Sequence, residues 1–76
     1  MITNRELMER YDNLNGTKEV KAEKLKEVYN AIVTNEHTNI MNEMAEKFNI
    51  SVWEWKVYRA ISLRVINNTL EVEGLS

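Results

Sequence analysis

Cysteine and proline are absent from this 76-residue chain, which contains two glycines and a single histidine. Without cysteine the chain can form neither a disulfide framework nor a thiolate zinc site, and His37 alone cannot build a metal cage. We therefore predict no metal and no other cofactor. Folds this small hide a modest share of their surface and commonly rely on disulfides, a metal or a partner subunit. By elimination, self-association is the expected additional source of stability.

An excess of positive charge is also missing, because ten Lys and Arg residues stand against twelve Asp and Glu residues, for a net charge of −2. A protein that depends on phosphate contacts usually carries a visible excess of Lys and Arg. No apolar run approaches the roughly 20 residues that span a bilayer, and the N-terminus lacks the pattern of a signal peptide. We expect a cytoplasmic protein without membrane insertion.

Two capping boxes mark helix starts in a sequence that is poor in helix-breaking residues. Thr3 and Glu6 form Thr-x-x-Glu, and Ser51 and Glu54 form Ser-x-x-Glu, so that each side chain of a pair can bond the other's backbone N–H. Together with apolar residues at helical spacing, these signals predict helices over residues 4–13, 18–34, about 39 or 40–48, and 52–67.

The predicted fold is all-α, a compact bundle of about four short helices in a single domain over residues 1–67. Residues 68–76 are expected to form a mostly flexible tail. The second helix should turn an apolar stripe inward and surround it with solvated charges such as Lys18, Lys21 and Lys24. The residues of that stripe are Ala22, Leu25, Val28, Tyr29, Ile32 and Val33, and those turned inward by the third helix are Ile40, Met41, Met44, Ala45 and Phe48.

The junction of the third and fourth helices has a specific pattern. Ala45 is a small residue midway in the third helix, and Asn49, four positions later, tolerates a left-handed turn. Ile50 can plug the turn, and Ser51 can start the next helix. On these residues the segment from Met41 to Tyr58 resembles the helix-turn-helix superfamily, which implies a helix-turn-helix-like C-terminal half whose last helix enters the major groove of DNA.

The residues at the positions that read bases in that family are mostly of types that cannot read bases. They fall on Ser51, Val52, Trp53, Lys56, Val57 and Ala60. Base edges are read by hydrogen-bond donors and acceptors, and here only Ser51 and Lys56 supply them. This departure argues against sequence-specific reading. A DNA-binding transcriptional regulator is the alternative, with contacts from Ser51, Lys56, Arg59 and Arg64.

The fourth helix is apolar nearly all round, and a helix of this kind is usually buried on more than one side. Three short helices are not expected to cover all of it, whereas a second chain could. Aromatic anchors with a charged rim are typical of interface centres. The sequence therefore predicts a homodimer, or a surface for another protein, built on Val52, Trp53, Lys56, Val57, Ala60 and Arg64.

Nothing in the sequence indicates an enzyme. His37 has no Ser, Cys or acid at a recognisable spacing, and no phosphate loop, dinucleotide fingerprint or metalloprotease motif occurs. We predict a non-enzymatic binding module without a small-molecule substrate. The short, Cys-free and Asn-rich chain is similar in style to small accessory proteins of phages and other mobile elements. That likeness implies a regulator that binds proteins, for instance in host takeover or in control of lysis.

Overall fold

The computed structural model describes residues 2–34 and 41–68 of the chain. Four helices lie in these ranges, and no strand does: α1 (Asn4–Asp12), α2 (Lys18–Val33), α3 (Met41–Lys47) and α4 (Val52–Ile66). The prediction of a small all-α bundle is confirmed, and the observed helix ends in the described ranges lie within a residue or so of the predicted ones. The predicted start of the third helix at Asn39 or Ile40, and the tail beyond Asn68, lie outside the described residues.

Side-chain caps set the starts of three of these helices. The hydroxyl of Thr3 accepts a hydrogen bond from the Glu6 N–H at 3.1 Å, and that of Thr17 accepts from Val20 at 3.2 Å. At Ser51 both halves of the capping box are present, at 3.1 Å each. Because the first N–H groups of a helix have no partner within it, such caps determine where the chain turns into a helix.

Residues with positive φ stand in the connections that follow the first and third helices. Gly16, in the connection after α1, has a φ of 112°, and Asn49, after α3, has a φ of 57°. The N–H of Asn49 donates to Glu46 and the N–H of Ile50 donates to Ala45, which is a Schellman motif. The predicted left-handed conformation of Asn49 is confirmed.

Helix α4 lies at the centre of the bundle. It packs against α1, α2 and α3, whereas those three helices do not bring their Cα atoms within 8 Å of one another in the described ranges. Side chains of α4 accordingly form the middle of the core, which also takes Leu7 from α1, Val28 from α2 and Met44 from α3. The most deeply buried residues of α4 are Trp55, Val57, Tyr58, Ile61 and Ser62.

Helices α1 and α4 run antiparallel. Arg64, near the end of α4, donates hydrogen bonds to the side chain of Asn4 and to the carbonyl of Ile2, at the start of α1. At the opposite ends, the guanidinium of Arg10 lies 5.3 Å from the ring centroid of Trp53. This pairing covers one side of α4 that the sequence pattern alone left open.

Four predicted placements in the first three helices differ from the structure, and one of them is Ala22, which was expected in the core but is exposed. Lys21 was expected in solvent but is 9% exposed, because its ammonium group reaches the carbonyls of Tyr11 and Asp12 at 3.4 and 3.0 Å. Val33 and Met41 were expected in the core but are 57% and 41% exposed. Both stand at helix ends beside residues 35–40, where no neighbouring helix covers them in the described structure.

Candidate interaction surface

The side of α4 that the other helices leave uncovered carries most of the predicted interface. We call it the outward face of α4 and define it as Val52, Trp53, Lys56, Arg59, Ala60 and Leu63. They form two adjacent rows, 52/56/59/63 and 53/56/60/63, within which successive residues are three or four positions apart, as neighbours on one side of a helix are. Trp53 and Lys56 are exposed and the other four are half-buried.

Trp53 is the largest apolar group on this face, and 52% of its surface is exposed. Arg10 of α1 lies against its ring in a cation–π geometry. Sequence reasoning missed Arg10, because no local pattern indicates which residue of a separate helix will stand beside the indole. The antiparallel packing of α1 on α4 brings the two together.

Val57 does not belong to the surface. It was predicted as an interface residue, but it is 3% exposed and lies in the core cluster. The prediction is wrong because it assumed that three helices would leave a broad side of α4 open. All three pack directly on α4 and enclose more of its circumference than expected.

Arg64 and Ser51 already have intramolecular contacts. The half-buried guanidinium of Arg64 holds the start of α1 through Ile2 and Asn4. The Ser51 hydroxyl accepts the N–H of Glu54 at the start of α4. Of the residues proposed for DNA contact, Lys56 and Arg59 are those that the structure places on the outward face of α4, with the Lys56 side chain exposed.

A second surface feature is an open, mostly apolar groove of about 320 Å³ between α1, α2 and α4. Ala22 and Tyr29, which were predicted as core residues, line its wall together with the partly buried ring of Tyr11. The described residues that line it are Tyr11, Ala22, Leu25, Lys26, Tyr29, Ser62 and Val65.

Two tyrosines meet beside the groove in an edge-to-face pair, with the Tyr11 and Tyr58 ring centroids 6.0 Å apart. Burial raises the pKa of Tyr58 to about 12, with smaller contributions from Tyr11 and Glu54. Burial also raises the pKa of Tyr11, and Asp12 adds to that effect. Both phenols are therefore protonated at neutral pH and act as packing groups.

Within residues 2–34 and 41–68, no group of three or more His, Asp or Glu side chains is placed to hold a metal ion. His37 lies outside the described residues. None of the four described helices combines the length and the apolar character that crossing a membrane requires.

Comparisons of the chain with protein-family models, with curated proteins and with solved structures find no match. Over the described residues, the chain is a small all-α domain of four helices.

Proposed function

We propose that this chain is a non-enzymatic protein-interaction module that binds a protein through the outward face of α4. The observation that carries the proposal is the half-exposed indole of Trp53, on a helix whose remaining aromatic side chains are buried. Tryptophan is enriched at the centres of protein interfaces, where its large apolar surface is removed from water.

The neighbours of Trp53 extend the apolar surface along the helix. Val52, Ala60 and Leu63 are half-buried and lie at helical spacing on the same face, and Lys56 stands among them. An indole offers about 200 Å² of surface, so covering its exposed half contributes about 2–3 kcal/mol at about 25 cal/mol per Å². The half-buried aliphatic neighbours add to that free energy.

Photo-crosslinking can test this assignment with a matched pair of positions. Trp53 and Val33 are apolar residues with similar exposure, 52% and 57%, on different helices. A photoreactive phenylalanine analogue at position 53 should give covalent adducts with protein in the cells that express the chain, whereas the same group at position 33 should not. Equal adducts at both positions, or none at position 53, would contradict the proposal.

The protein partner is either a second copy or a different chain, and the homodimer expected from the sequence stays a prediction. Sedimentation equilibrium distinguishes a 9.0 kDa monomer from a dimer of twice that mass. If α4 mediates a dimer, Trp53→Glu should yield a monomer with unchanged helicity, and Val33→Glu should leave the dimer intact. A monomer at concentrations of about 50 µM would exclude tight self-association and leave a different chain as the partner.

DNA binding is the second candidate function. It is favoured by the left-handed turn at Asn49 between two short helices, and by Lys56 and Arg59 on the following helix. Such turns also occur in many proteins that bind no DNA. A regulator of this kind must bind random duplex DNA at low salt with an affinity that falls steeply as salt is added, and Lys56→Gln should reduce that dependence.

A role as a phage-type accessory regulator is a further part of the proposal, and it rests on the length and composition of the chain alone.

A further inference from the structure

The two charged side chains of the outward face of α4 are both cations. Lys56 and Arg59 belong to the face, and Arg10 is held against its indole from α1. The only acid in α4 is Glu54, whose carboxylate accepts the N–H of Ser51 at the start of the helix. Glu54 lines a separate cavity with Tyr58 and Lys24, on the side of α4 that faces α2. In a chain with a net charge of −2, the outward face of α4 thus carries two cations and no acid, and a third cation, Arg10, lies against its tryptophan.

We propose that the partner bound by the outward face of α4 is an acidic amphipathic segment of another protein. This inference rests on the proposed function and specifies its partner. The segment presents apolar side chains to Trp53, Ala60 and Leu63, with Asp or Glu residues positioned beside Arg10, Lys56 and Arg59. Because α4 has 15 residues and is about 22 Å long, a partner helix of similar length can lie along it.

Charge complementarity argues against a second copy on this face. In a two-fold dimer the same surface of both copies forms the contact. Two α4 helices that meet through their outward faces would bring Lys56 and Arg59 of one copy against cations of the other. Like charges brought together at an interface cost several kcal/mol. An acidic segment converts the same cations into favourable pairs.

The composition of the face also favours a protein over a nucleic acid. Val52, Ala60 and Leu63 offer apolar contact but no hydrogen bonds for base edges or phosphates, and the cations near them are few. An amphipathic helix buries these apolar groups and neutralises the cations in one contact.

Binding of designed peptides tests the charge requirement directly. The probes are three fluorescein-labelled helical peptides of about 16 residues that share one leucine stripe and carry Glu, Gln or Lys beside it. Fluorescence anisotropy with the full chain at low salt should give a Kd for the Glu peptide at least about ten-fold below that for the Gln peptide, with the Lys peptide weakest. Added NaCl should narrow these differences because exposed charges are screened.

Charge-reversal variants locate the binding site. The double variant Lys56→Glu/Arg59→Glu should reverse the preference so that the Lys peptide binds most tightly. The matched control, Lys18→Glu/Lys26→Glu, makes the same change in net charge on exposed positions of α2 and should keep the preference for the Glu peptide. Circular dichroism reports whether each variant is folded, and Lys56→Gln/Arg59→Gln replaces the first variant if reversal prevents folding. That neutral variant should remove the preference.

Four other results would overturn the inference of an acidic partner, and they can be distinguished from failure of the proposed function itself. Equal binding of the Glu and Gln peptides rejects an acidic partner, while photo-crosslinks at position 53 would still support the proposed function. No peptide binding at about 100 µM also rejects the acidic segment, and absence of crosslinks at position 53 would reject the proposed function as well. A dimer that Trp53→Glu dissociates would identify a second copy as the occupant. Tighter binding of an oligonucleotide that competes with the Glu peptide would identify a nucleic acid.

Discussion

Lys21 and Lys24 each place an ammonium group at the carboxyl end of another helix. Lys21 donates to the carbonyls of Tyr11 and Asp12 at the end of α1, and Lys24 donates to Phe48 at the end of α3, at 2.6 Å. The last carbonyls of a helix have no partner within it and carry a partial negative charge, so a cation there is favourable. Two lysines of α2 thereby fasten helices whose backbones do not otherwise approach it.

Removal of the Lys21 ammonium group should therefore destabilise the fold more than removal of the ammonium group of an exposed lysine on the same helix. We expect Lys21→Met to lower the free energy of unfolding by about 1–3 kcal/mol, because the methionine preserves the packing of the lysine stem but leaves the Asp12 carbonyl without its ammonium donor. Lys26→Met, at an exposed position of the same helix, should change it by less than about 0.5 kcal/mol. Urea denaturation followed by circular dichroism gives both values, and equal losses would contradict a capping role for Lys21.

At the scale of elements, the turn between α3 and α4 has the most specific local geometry. The left-handed residue Asn49 allows Ile50 to donate back to Ala45, and Ser51 then starts α4 with a complete capping box. The end of one helix and the start of the next therefore lie within three residues. This tight connection determines the position of Ser51 and Val52 relative to α3, and with them the beginning of the outward face of α4.

Replacement of Asn49 by alanine and by glycine should affect stability differently. Asn49→Ala should destabilise the fold by about 1 kcal/mol, because a Cβ-bearing residue without a hydrogen-bonding side chain is unfavourable at a φ of 57°. Asn49→Gly should be neutral or stabilising, since glycine adopts this conformation without steric cost. Asn42→Ala, at an exposed helical position of α3, is the control and should be neutral or slightly stabilising. A smaller loss for Asn49→Ala than for Asn49→Gly in thermal denaturation would refute this account.

At the scale of the whole molecule, the described fold depends on one central helix. Because the backbones of α1, α2 and α3 approach α4 and not one another in the described ranges, their apolar faces share the side chains of α4 as a common core. Such an arrangement has no peripheral pair of helices that could remain packed without α4. We expect unfolding to be a single cooperative transition.

Ile61 tests this cooperativity, since it is 0% exposed at the middle of α4. Ile61→Ala should lower the free energy of unfolding by about 2–5 kcal/mol through lost burial and a cavity. The transitions measured by circular dichroism and by tryptophan fluorescence should still coincide. Val33→Ala, at an exposed position, should change stability by less than about 0.5 kcal/mol. Separate transitions for the two probes would indicate that part of the bundle is stable without α4.

Local sequence patterns were sufficient to predict the helices and their caps. Hydroxyl caps at Thr3, Thr17 and Ser51, and the left-handed tendency of Asn49, act within a few residues along the chain, so a local pattern predicts them. Trp53 was also predicted at the surface, from the exposed positions that the helix-turn-helix resemblance implies, and it is 52% exposed.

Which sides of α4 are covered depends on how α1, α2 and α3 pack against it, and this packing is visible only in the folded molecule. Val57 is buried, Lys21 leaves solvent, and Arg10 meets Trp53 because of how separate helices pack, and these are contacts between residues far apart in the chain. The apolar pattern of α4 shows that it needs partners on several sides but not which helix takes each side. The burial of each side chain depends on that arrangement. So does the position of Arg10 beside Trp53, which is one of the contacts from which an acidic partner is proposed.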